Sequence, residues 1–123
     1  QEAAVSLQRF ESPDEVRELP LGRFELVRVG GAVLGRATCQ PGWCWSQHVG
    51  PVVGAMRCTV EEAGLVIGGE ATVEMEDGTS HRLVPGTIFH LPSRPHDSRV
   101  VGEVPFMAVH FVGAERYSRS APT

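Results

Sequence analysis

The sequence predicts an all-β single domain, a small barrel or sandwich of short strands. Three observations carry that expectation. Its 123 residues, 41% hydrophobic and 21% charged, suit one hydrophobic core. The 14 glycines and 9 prolines are scattered as punctuation instead of clustered as a linker. No segment sustains a helical period, whereas roughly nine to eleven short apolar runs follow one another at close spacing.

The elements follow in chain order. Residues 1–21 are polar, carry the turn signal Ser12-Pro13-Asp14-Glu15, and read as an arm that gains order by pairing with the barrel or with another subunit. "RFELVRV" and "AVLGRATCQ" read as strands joined by a tight turn at Gly30-Gly31. "PGWCWSQH" reads as a Trp-rich strand ending at His48, followed by a Gly/Pro loop. From Gly64 to Pro92 four strands alternate with turns at Gly68-Gly69, Asp77-Gly78 and Pro85-Gly86. "DSRVV" and "PFMAVHFVG" close a barrel spanning residues 22–113, and residues 114–123 form a polar tail. Alternation turns Val66, Val73, Met75, Phe89, Val100 and Phe106 inward and Leu65 and Ile67 outward.

Composition narrows the function classes. A formal charge of -4, with no aromatics set among Lys or Arg, argues against nucleic acid as a partner. The apolar runs are too short to span a bilayer as helices. Three cysteines, Cys39, Cys44 and Cys58, form no C-x-x-C pair and cannot all pair within one chain. Together these features predict a soluble protein of a reducing compartment, the cytoplasm.

Two stretches resemble the motifs of the cupin superfamily. Its first motif runs Gly, five residues, His-x-His, three or four residues, Glu, six residues, Gly; its second runs Gly, five residues, Pro-x-Gly, two residues, His. In this chain Gly42 reaches His48 after five residues and Glu62 reaches Gly69 after six. Gly50 stands where the second His belongs, and "PVVGAMRCTVE" is an added loop. Gly86 reaches Pro92 after five residues; Arg94 replaces the motif glycine, and the histidine arrives one position early at His96. The chain looks similar to small bacterial single-domain cupins with a P-G-W-x-W-S-x-H segment and a P-x-x-x-H-D segment, in which the Glu62 position is often histidine.

The resemblance implies a double-stranded β-helix, the cupin jelly-roll barrel, holding one divalent transition metal ion. His48, Glu62 and His96 would be the ligands, with Cys58 as a fourth candidate. Two imidazoles and one carboxylate suit Fe(II) and also accept Mn, Ni or Zn. On a continuous strand Cys58 and Glu62, four residues apart, share a face. Cys58 is then a ligand, a reactive neighbour or, as most free cysteines are, a small buried hydrophobe.

If His48 points inward, period two sends Trp43 and Trp45 to the opposite face, against another sheet, the arm or a second subunit. His81 follows a hairpin and is expected exposed; His90 and His110 fall in apolar strands, at core or rim positions. His110 is the candidate acid or base beside a substrate. The expected function is a metal-dependent enzyme acting on a small organic molecule, an Fe(II) oxygenase or a metal-assisted lyase, isomerase or cyclase. The alternatives are a non-catalytic small-molecule binding or sensing module and a purely structural barrel. A homodimer is expected, covering the outward Leu65, Ile67 and tryptophans.

Overall fold

A computed structural model describes residues 4–116. Nine strands form: β1 (Glu15–Leu19), β2 (Gly22–Val29), β3 (Ala32–Cys39), β4 (Glu62–Gly68), β5 (Glu70–Met75), β6 (Ser80–Leu83), β7 (Ile88–Leu91), β8 (His96–Val101) and β9 (Phe106–Val112). Two single-turn helices, α1 (Trp45–His48) and α2 (Gly50–Val53), lie between β3 and β4. All strand pairs are antiparallel, in a six-stranded sheet ordered β1-β2-β3-β9-β4-β7 and a three-stranded sheet ordered β6-β5-β8.

The turns form where the backbone demands them. Gly30 and Gly31, at φ 57° and 84°, make the two-residue β2–β3 hairpin, a turn that needs positive φ at both central residues. Asp77 accepts hydrogen bonds at Oδ1 from Thr79 N–H and Thr79 Oγ1 and so holds the β5–β6 hairpin.

Alternation places the core. Phe24 and Leu26 from β2, Val66 from β4 and Phe106 and Ala108 from β9 join Ala71, Val73, Leu83 and Val100 of the smaller sheet in one buried cluster, so the two sheets face each other. The described residues form two sheets, not one closed barrel. Isolated bridges of Cys44 with Arg99 and of Cys58 with His96 tie the β3–β4 connection to β8. β1 pairs in register along β2, from Glu15 opposite Leu26 to Leu19 opposite Gly22. Asp14 and Glu11 extend the attachment: Asp14 Oδ2 accepts from Arg28 N–H at 2.7 Å, and Glu11 pairs with Arg36 at 3.2 Å.

The structure corrects the sequence reading between residues 43 and 53. This segment is a bridge followed by two helical turns instead of a strand. The cause is distant in sequence: Asp97 on β8 accepts from Ser46 N–H at 2.9 Å and from Ser46 Oγ at 2.7 Å, satisfying donors that an isolated first turn leaves bare. Gly50 lets the turns pack closely, since a Cβ there would meet Ala55 O at 2.4 Å. With the strand period gone, Trp43 and Trp45 do not face away from the interior; both are 4% exposed and belong to the core.

Candidate metal centre

A two-way backbone pairing builds the site. Cys58 N–H donates to His96 O and His96 N–H donates to Cys58 O, both at 3.0 Å, the arrangement of a hydrogen-bonded antiparallel pair. Such directly opposed residues carry their side chains on the same face. Glu62, opening β4, meets them there: Cys58 Sγ donates to Glu62 Oε2 at 3.3 Å, and His96 Nε2 lies 3.5 Å from the same oxygen. Among the described residues, Cys58, Glu62 and His96 bring one ligand atom each within 4.8 Å of one another. All three are at most 4% exposed.

A backbone contact sets the His96 tautomer. Arg94 C=O can only accept, so the 2.9 Å contact puts a proton on His96 Nδ1 and leaves the Nε2 lone pair facing Cys58 and Glu62. A metal-ligating histidine needs this arrangement, one ring nitrogen tied to a carbonyl and the other free to bind. His48 Nδ1 lies 3.0 Å from Cys44 N–H and 3.2 Å from Cys44 O, so either tautomer of this ring finds a backbone partner. His48, half-buried at the end of α1, turns its Nδ1 back toward Cys44 and is not among the three grouped residues.

The electrostatics call for a cation. Burial pushes the Cys58 thiol well up, and the neighbouring Glu62 carboxylate pushes it further. Burial works against charge on His96, but Glu62, the Arg94 carbonyl and Asp97 outweigh it, so that imidazole is held above its usual range. A thiol, a carboxylate and an imidazole thus share one dry site, where a divalent ion would stabilise thiolate and carboxylate together. The donor set fits a metal.

His110 lies on the other side of the carboxylate, its Nδ1 3.6 Å from Glu62 Oε1, just beyond hydrogen-bond length. Burial lowers its pKa against the pull of Glu62, which keeps the ring neutral. His110 sits between Gly35 on β3 and Gly64 on β4, and the rings of Phe24 and Phe89 meet it edge-on at centroid distances of 5.4 and 5.7 Å. The two glycines make room for those rings, because a Cβ would come within 2.4 Å of Phe24 Cζ at position 35 and 2.8 Å of Phe89 Cζ at position 64. His81 is exposed as expected; His90 is exposed too, bonded to Glu61 at 2.9 Å, and so lies outside the core.

The solved structures this chain matches identify the architecture. KdgF from Halomonas sp. is 17% identical over 89% of this chain and 91% of its own, with a TM-score of 0.59. The capsular polysaccharide assembling protein CapF from Staphylococcus aureus is 14% identical over 85% of this chain and 29% of its own, with a TM-score of 0.60. A protein of unknown function from Rhizobium leguminosarum bv. viciae 3841 is 18% identical over 73% of this chain and 78% of its own, with a TM-score of 0.56. The fold is cupin-like. No family model and no curated protein matches the sequence. In this cupin-like frame Glu62, His96 and Cys58 converge. What sequence spacing missed is the tautomer control at His96, which depends on a backbone carbonyl of Arg94 that any residue type could supply. Among the described residues no helix is long and apolar enough to cross a membrane.

Proposed function

We propose that this chain is a small cupin-like metalloenzyme acting on a small organic molecule, with one divalent ion held by Cys58, Glu62 and His96. The observation that carries the reading is the convergence of these three donors within 4.8 Å, with the His96 lone pair directed into the group by its bond to Arg94 O. Cys58 takes the place that the motif spacing assigned to His48. A thiolate and a carboxylate together offset the two charges of the ion, and the soft sulfur favours zinc over Fe(II).

Cys58, Glu62 and His96 would hold the ion, which would supply Lewis acidity toward a carbonyl or a water. The chain's own residues do the rest. Glu62 turns Oε2 toward Cys58 and His96 and Oε1 toward His110, dividing its carboxylate between the donor group and the interior. His110, buried and neutral, is the group placed to hold or pass a proton at Nδ1 beside that carboxylate. Phe24 and Phe89 hold its ring edge-on from two sides and keep water from it.

Elemental analysis of the purified protein, followed by calorimetric zinc titration, tests the proposal. The expected result is about one zinc per chain in the wild type and loss of it in His96→Ala with the fold retained. A wild type that neither contains nor binds a divalent ion would refute the reading.

A further inference from the structure

Between the sheets lies a cavity of about 30 Å³, with room for about two waters. Trp43, Trp45, Glu62 and Ser98 border it together with the rings of Phe89 and Phe106, whereas Cys58 and His96 are not on its wall. His110 borders it too, so it lies on the Oε1 side of the Glu62 carboxylate.

Hydrogen bonding around this cavity is incomplete in two complementary ways. Trp43 and Trp45 are both 4% exposed, and the Nε1 of each has no hydrogen-bond partner among the described residues. Glu62, equally buried, has the reverse need: Cys58 Sγ donates to Oε2 at 3.3 Å, but Oε1 faces His110 Nδ1 at 3.6 Å, beyond hydrogen-bond length. Buried polar groups are almost always satisfied, by protein, water or ligand. An indole N–H can only donate and a carboxylate oxygen can only accept, so an occupant that satisfies both must do both.

The indole edges suit such an occupant. Trp43 Nε1 lies 3.1 Å from where a Gly22 Cβ would be, and Gly22 pairs across β2 and β3 with Cys39, which also lines the cavity. The Cζ3 corner of Trp45 packs on α2, 3.3 Å from where a Gly50 Cβ would lie, so the opposite edge of that indole, which carries Nε1, turns away from the helix.

We propose that this cavity is a hydration site, in which two waters join Trp43 Nε1, Trp45 Nε1 and Ser98 Oγ to Glu62 Oε1. Water fits the volume, accepts from the indoles and donates to the carboxylate, whereas an anion would only accept and would meet the charge of Glu62. With these groups and the bond between the waters, each water has about three partners, the usual number for buried water. A cavity with an apolar wall alone would stay dry. Glu62 is thus solvated from the interior at Oε1, while Oε2 remains in the dry donor group. The inference rests on the cavity and stands whether or not the donor group holds zinc.

Uniformly ¹⁵N-labelled wild type tests it through the indole N–H cross-peaks of the two tryptophans. The expected result is cross-relaxation with water at both indole protons, with NOE and ROE of opposite sign, the mark of waters held in place. Both indoles should respond alike, so the result needs no assignment. Ser98→Ala, which removes the hydroxyl on the wall that could relay magnetisation, should keep both peaks. No water peak at either indole, a peak at one alone, or loss of a peak in Ser98→Ala would overturn the proposal. Zinc content measured on the same sample keeps the two readings apart: hydrated indoles in a protein that binds no zinc refute only the metal reading, and bound zinc without the water peaks refutes only this one.

Discussion

Cys58→Ser is the substitution that most sharply tests the donor set. It changes one atom at a position 2% exposed, keeps the backbone pairing with His96, and replaces a thiol able to become a zinc-bound thiolate by a hydroxyl that is a far poorer ligand. Structural zinc sites with four protein ligands are worth ~10–16 kcal/mol, or about 3 kcal/mol per ligand, which corresponds to roughly 100-fold in zinc affinity. The pH dependence is a second, independent readout. Burial and Glu62 hold the Cys58 thiol protonated through the neutral range, so zinc binding must release that proton. Wild-type affinity should therefore rise about tenfold per pH unit between roughly pH 7 and 8.5. The His96 pKa is also raised, so at the acid end a second proton leaves on binding and the slope steepens toward two. Cys58→Ser should lose the thiol's contribution and flatten above neutrality. A competition titration against a chromophoric chelator across this range measures both quantities. Equal affinity and an equal slope in the two proteins would show that the sulfur is not a ligand and return Cys58 to the role of a buried hydrophobe.

Asp97→Ala removes the carboxylate that receives both Ser46 donors, and should cost about 2 kcal/mol, lowering the melting temperature by roughly 6 °C; an unchanged melting curve would mean that the helical turn forms without it. The metal-free protein should lose stability as pH rises from about 6 to 8, because the His96 pKa is raised on folding and that contribution is complete only below the unfolded value; urea melts in chelator that show the opposite trend would contradict the assigned direction. A homodimer through the outer face of β4 and β7 is proposed from the exposed Ile67 and Ile88, at 46% and 75%; sedimentation should show a dimer for the wild type and a monomer for Ile88→Asp, and a monomeric wild type would end that proposal.

Local chemistry made much of the architecture legible. Gly30-Gly31 and Asp77-Gly78 mark hairpins because their backbone needs are met by residue type alone, and the period of two turns Val66, Val73, Phe89 and Phe106 into the core because each lies in an uninterrupted strand. Motif spacing likewise singled out Glu62 and His96, which the fold brings together. His48 and the tryptophans were beyond that logic. Whether residues 45–48 form a strand or a helical turn is decided by Asp97, 51 positions from Ser46, and a four-residue segment carries too little pattern to reveal it. Which His96 nitrogen offers a lone pair depends on the Arg94 C=O beside its Nδ1, a group that every residue type carries. The meeting of Cys58 with His96 rests on a single bridge between a loop and a strand 38 residues later. Sequence by itself determined the strands, their turns and their inward faces, because those follow from neighbours along the chain; the donor group and the helical turn at residues 45–48 were decided only when distant residues met.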